Sequence, residues 1–213
     1  MKAFRNLSIT LKPEQITDFV ARIESALTAG WQRDRSAEAQ GRSAASGESY
    51  YFTCSESGQR RAALVALVKR DQATLYVANV VPMQAGRLTY DNYNTVLVDF
   101  HDHIVAPVAK DLGAHVTLSN DVKTLDDWIS RESAAKLRRF SAAANKSTGS
   151  SHPRDKERWY DFVVSAVRND DPINSSELAR WLTEEECWPD DIVHELEIEF
   201  EQEAGLLRYY RSR

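Results

Sequence analysis

Apolar residues recur along this chain with two periods, and the switches between them outline the elements. From Phe4 to Leu11 the alternation of Leu7, Ile9 and Leu11 predicts an edge or half-buried strand. Pro13 then opens a helix whose buried stripe is Ile16, Phe19, Val20, Ile23 and Leu27, with Gly30 as its stop. Ser36 to Glu48 has no apolar period and predicts a loop. Three strands follow, at Ser49–Cys54, Arg61–Val68 and Thr74–Val81, the last with Leu75, Val77 and Val81 inward. The short Ser55-Glu-Ser-Gly and Arg70-Asp-Gln connections favour antiparallel hairpins.

A second long helix is predicted from Asp91 to Leu112, with Val96, Leu97, Phe100, Ile104, Val108 and Leu112 buried, and with Pro107 kinking it or ending its first part. His115 to Leu118 reads as a fifth strand. The order β-α-β-β-β-α-β implies an α+β fold, a mainly antiparallel sheet of about five strands with helices on one face. From Thr124 onward the period is helical. Thr124 with Asp127 resembles a capped start, and Leu125, Trp128, Ile129, Leu137 and Phe140 face inward. Further helices are predicted around Trp159–Val167, from a capped Asn174 with Glu177, and from Trp188-Pro189 to Leu207. The expected division is a sheet domain over residues 1–122 and a helical domain over 123–213, joined through the polar 145–157 loop. No repeat at a fixed period is present.

Composition narrows the class. The chain has 213 residues, 42% hydrophobic and 28% charged, with a net charge of −5. That suits a globular protein with a real core and gives no global attraction to nucleic acid or anionic membrane. No apolar run approaches a membrane span, and Met-Lys-Ala-Phe-Arg-Asn lacks the apolar core of a signal peptide, so the expected location is cytoplasmic, with no membrane. Cys54 and Cys187 permit one disulfide by parity, but free thiols are the reading that fits a cytoplasm. Charge is uneven: residues 1–120 carry 13 basic and 12 acidic groups, and residues 121–213 carry 14 and 20.

The densest chemistry lies at Asn145–Trp159. Between Lys136 and Arg158 there are seven basic residues against two acidic ones. Lys146, Thr148, Ser150, His152, Arg154, Asp155 and Arg158 are candidate phosphate or ligand contacts, since hydroxyls, backbone N–H groups and guanidinium forks suit a phosphate. The Gly-x-x-x-x-Gly-Lys-Ser/Thr pattern of a P-loop is absent. The plainer alternative is a helix connection in which Ser151 caps the next helix and Asp155 complements its dipole. A second candidate surface is the acidic face of the last helix, with Asp190, Asp191, Glu195 and Glu199 offered to a basic protein partner.

Other constellations yield to structural explanations. In Asp99-Phe-His101-Asp-His103 the two histidines point about 200° apart on an α-helix and do not share a metal. Glu184, Glu185 and Glu186 beside Cys187 disfavour a thiolate. The five tryptophans suit a helical core better than base stacking. No catalytic residue, cofactor or metal ligand emerges.

Tyr93-Asn94 followed by Phe100 and Pro107, then Thr148-Gly149, His152-Pro153, Asp155 and Arg158-Trp159, then Trp188, Leu206-Leu207 and Tyr209, resembles a family of uncharacterised bacterial proteins. The resemblance covers roughly Leu88 to Tyr210 and implies a bacterial, cytoplasmic setting. It brings no activity, cofactor or catalytic residue. The expectation is therefore a non-enzymatic regulatory or interaction protein, of a defence or toxin-neutralising kind. Two alternatives stand beside it. One is a nucleic-acid or nucleotide-phosphate binder acting through Lys146, Arg154 and Arg158. The other is a hydrolase or nuclease centred on His152, with Asp155 and Arg158.

Overall fold

A computed structural model describes residues 1–44 and 48–213, with side chains described outside 41–44. The fold is α+β. The chain divides into two compact units, one of Lys2–Asp121 and the other of Met1 with Val122–Arg213.

The first unit is built on six antiparallel strands: β1 (Leu7–Thr10), β2 (Trp31–Arg33), β3 (Ser49–Cys54), β4 (Ala63–Lys69), β5 (Thr74–Pro82) and β6 (His115–Leu118). Their order in the sheet is β2-β3-β4-β5-β1-β6. The helices are α1 (Ile16–Ser25), α2 (Arg35–Ala44), α3 (Tyr90–Phe100) and α4 (Ala106–Leu112). Phe19 and Ile23 of α1 and Val96, Leu97 and Phe100 of α3 share one core cluster with Ile9, Phe52, Val65, Leu67 and Leu75 of the sheet.

Four expectations change here. The sheet has a sixth strand, β2, pairing Trp31 with Cys54 and Arg33 with Phe52. Helix α1 ends at Ser25, several residues before Gly30. The segment read as a loop is helix α2 as far as Ala44, and the rest of that expectation falls partly on residues 45–47, outside the described residues. Its helix has no apolar stripe because it is held by charge: Glu38 is buried and accepts from Arg33 Nε at 2.7 Å. Finally, Val81 is exposed and Val80 is buried. The register of β4 against β5 steps from Ala66↔Asn79 to Leu67↔Val77, leaving Ala78 as an extra residue. One inserted residue reverses the face of everything beyond it.

The long α3–α4 segment breaks before Pro107. A single π-type turn, His101–Val105, joins the two α-helical parts. Proline has no N–H for the carbonyl four residues back and its ring crowds it, so the wider turn relieves the clash. Gly113, with φ 64°, closes α4 in the left-handed region.

The second unit is helical. A short 3-10 turn at Leu125–Asp127 precedes α5 (Arg131–Ala143), α6 (Pro153–Arg168), α7 (Ser175–Glu184) and α8 (Asp190–Arg211). Thr124 and Asp127 do form a reciprocal cap, but it closes the 3-10 turn; α5 starts later, capped by Ser130. Asn174 and Glu177 cap α7 as expected. The core of this unit is aromatic. Phe140 stacks on Trp188, Trp159 meets Phe140 and Phe162, and Phe162 stacks on Phe200 of α8. All five tryptophans are buried, so none offers an open ring face for base stacking. Among the described residues, no helix is long and apolar enough to cross a membrane.

Candidate functional site

The basic segment lies inside the helical unit, linking α5 to α6. Asn145 folds it: its side-chain oxygen accepts from Ser147 N at 3.0 Å, and its carbonyl accepts from Thr148 N and Gly149 N. Gly149 has φ 58°, and a Cβ there would sit 3.1 Å from Ile192 Cγ2 of α8. Glycine is needed twice over, for the left-handed turn and for the close approach. The residue capping α6 is His152, whose Nδ1 accepts from Arg154 N at 3.3 Å, and Pro153 follows at the first helical position. Ser151, expected as the cap, is exposed one position too early.

What happens to the seven basic groups decides what this segment can bind. Lys136 pairs with Glu132 at 2.9 Å and Arg138 with Asp126 at 2.5 Å. Lys146 donates to the Glu186 carbonyl and lies over the Trp188 ring. Arg158 pairs with the buried carboxylate of Asp155 at 2.5 Å. Lys156 reaches α8, meeting Glu199 at 2.8 Å and Glu203 at 3.1 Å. Arg139 and Arg154 alone of the seven have no hydrogen bond or ion pair among the described residues. Most of the local positive charge is therefore neutralised at home.

Glu199 is the hub of this latch. It also accepts from the hydroxyl of Ser150 at 2.5 Å, and Ser150 is buried. Trp159 Nε1 donates to Glu203 at 2.8 Å one turn further on. Burial works against the charge on Lys156, but its hydrogen bonds to Glu199 and Glu203 outweigh that and raise its pKa. Two surfaces that the sequence offers to outside partners, the basic loop and the acidic helix, thus meet each other here.

The candidate ligand residues consequently separate. Ser150 and Lys146 hold the segment down through Glu199 and the Glu186 carbonyl, while Asp155 and Arg158 are paired with each other within α6. Thr148, His152 and Arg154 are exposed. For the hydrolase alternative, Asp155 is committed to Arg158 and His152 Nδ1 to the helix cap. Of the acidic candidates, Glu199 faces inward, whereas Asp190, Asp191 and Glu195 are exposed and have no partner among the described residues.

The outer side of α8 carries more than acid. Ile198 is 41% exposed, Leu206 68% and Tyr209 59%, with Tyr210 further out still. On α6, Tyr160 and Val164 continue the row begun by Lys156 and are also exposed.

A third cluster, in the sheet unit, joins the Asp99–His103 stretch to Trp31 and Arg60, two residues that the sequence did not connect with it. Asp99 of α3 accepts from Trp31 Nε1 at 2.7 Å and pairs with Arg60, while Arg60 also lies over the Trp31 ring. His103 approaches the same carboxylate at 3.2 Å, and His101 instead meets Asp102 at 2.5 Å. Burial raises the Asp99 pKa, but the hydrogen bonds from Trp31 and Arg60 and the charge of Arg60 bring it below the ordinary carboxylate range. A recess of about 400 Å³ beside α3 is lined by Arg5, Asn94, Asp99, Asp102 and His103. Cys54 nearby is buried, which raises its thiol pKa; both cysteines are free thiols. Among the described residues no group of three or more His, Cys, Asp or Glu is placed to hold a metal.

Comparison with known proteins returns nothing: no protein-family model, no curated protein and no solved structure matches the chain. The functional reading rests on geometry.

Proposed function

We propose that this protein acts by contact, as a regulatory or toxin-neutralising interaction protein of a bacterial cytoplasm, and that its helical unit presents the outer side of α8 to another polypeptide. One observation carries the reading: Ile198, Leu206 and Tyr209 are exposed together on a helix whose opposite side is the core of the unit. Tyrosine and large aliphatic side chains on such a surface supply contact area at small entropic cost. Asp191 and Glu195 on the same side, without partners among the described residues, supply charge for orientation.

The test is site-specific photo-crosslinking in cells making the full chain, with a photoreactive amino acid at position 209 or, for comparison, at 154. Adducts to polypeptide from 209, and none from 154, support the reading. Adducts to RNA from 154, with none from 209, overturn it.

A second reading keeps one observation in its favour. The guanidinium of Arg154 is exposed at the start of α6, and neither it nor that of Arg139 has a partner among the described residues. A nucleic-acid or nucleotide-phosphate binder built on it requires affinity that falls steeply with salt and is lost in Arg154→Ala.

A further inference from the structure

The outer side of α8 is complementary to itself when run backwards. Asp191, Glu195, Ile198, Gln202, Leu206, Tyr209 and Arg213 are exposed. Their spacings are four, three, four, four, three and four, so Asp191 to Tyr209 stay on one side of the helix, and Arg213, two residues past its end, lies over the Tyr209 ring on that side. The spacing reads the same in both directions about Gln202. We propose that the polypeptide received by this surface is a second copy of the chain, with the two α8 helices antiparallel about a two-fold axis at Gln202. This rests on the contact reading above and names its partner.

Each layer finds a match in that arrangement. Asp191 faces Arg213 of the second copy, a carboxylate against a guanidinium. Glu195 faces Tyr209, whose hydroxyl is a donor; that hydroxyl already accepts from Arg213 at 2.6 Å, which leaves its proton available. Ile198 faces Leu206. On the axis, Gln202 meets its own copy, and a primary amide is both donor and acceptor. A parallel pairing would instead set Asp191 against Asp191 and Glu195 against Glu195, with like charges adjacent. A two-fold axis makes every contact occur twice, so the interface is isologous.

Gly205 is the independent observation. It sits inside α8, where glycine is destabilising relative to alanine, and a Cβ built on it would meet nothing within 4 Å. Nothing among the described residues calls for a glycine there. A second helix crossing close to the backbone beside Leu206 does. The helical part of the seam is about 30 Å long, from 1.5 Å of rise per residue. A single row of side chains on each partner belongs at the small end of specific interfaces, so association in the range of roughly 1–100 μM is expected.

The experiment is sedimentation velocity of the full chain across that range, with a charge swap. Asp191→Arg places two cations opposite each other, and Arg213→Asp two anions. Each single variant should raise the dimer dissociation constant about tenfold, equivalent to about 1.4 kcal/mol, and the Asp191→Arg/Arg213→Asp double variant should restore it. All these positions are exposed, and circular dichroism checks that the fold is kept. On a Cys187→Ser background, Gln202→Cys should give a disulfide-linked dimer under oxidation and Asp191→Cys should not. A chain that stays monomeric throughout, a double swap that fails to restore, or oxidation through position 191 overturns the proposal. A monomer that still crosslinks from position 209 to a different protein overturns the homodimer and leaves the contact reading standing; a monomer with no such crosslink removes both.

Discussion

Glu199→Ala should release the 145–152 segment from α8. The carboxylate makes two contacts, to the buried hydroxyl of Ser150 and to Lys156. A hydrogen bond to a charged acceptor contributes about 1.5–3 kcal/mol, and its loss leaves a buried hydroxyl without its partner. The ion pair adds less. Glu199 is 33% and Lys156 26% exposed, and Glu203 still holds the lysine, so about 0.5 kcal/mol is appropriate. The expected cost is about 2 kcal/mol. Glu199→Gln keeps an acceptor and should cost about 1 kcal/mol. The direct assay is amide hydrogen exchange, since Gly149 N and Ser151 N are bonded only within the segment, to Asn145 O and Thr148 O. A loss of 2 kcal/mol in opening free energy speeds their exchange by about 30-fold. Ser150→Ala with Glu199→Ala completes a double-mutant cycle, and the pair should be less than additive. Unchanged exchange at Gly149 and Ser151 in Glu199→Ala, with α8 still helical, would refute the latch.

Three other outcomes follow from the same reasoning. Gly149→Ala adds left-handed strain and a contact 3.1 Å from Ile192 Cγ2, so urea denaturation should show a loss of about 1–2 kcal/mol. Asn174→Ala removes the cap of α7 and should cost about 1 kcal/mol in the same assay. The pKa of Asp99 is lower in the folded state than the unfolded value of about 3.9. Its stabilisation is therefore complete above that pH and is lost as pH falls through the folded value. Thermal melting between pH 5 and 2 should show a shallower acid decline in Asp99→Asn than in the wild type, starting from a lower stability at pH 5.

Local pattern was enough for elements whose apolar period matches their burial. The β1 alternation, the α3 stripe and the Asn174–Glu177 cap all follow from neighbours in sequence. Where charge replaces apolar burial the pattern is silent. Helix α2 shows no stripe because Glu38 is buried by pairing with Arg33, a tertiary fact. The inserted Ala78 reverses the face of β5, and no composition marks it. Strand β2 has three residues, too few for any period. The candidate site divides in the same way. Its basic residues are visible in sequence, but the acids that neutralise Lys156 lie more than forty positions away on α8. The Trp31–Arg60–Asp99 cluster draws on three distant segments, and of these the sequence marked only the Asp99–His103 stretch. A palindrome of spacing on α8 is present in the sequence, yet it gains meaning only once the exposed side of that helix is known.

Everything argued for the helical unit depends on which α8 carboxylates are occupied and which are available. Covalent carboxyl labelling of the native protein, quantified by peptide mass spectrometry, measures this directly. In protein diluted far below the range of self-association, Asp191 and Glu195 should label quickly, while Glu199 and Glu203 should resist until the unit is denatured. Glu199 labelling as fast as Glu195 would mean that the basic segment is not held on α8 and its charges are open to an anion, contradicting the account.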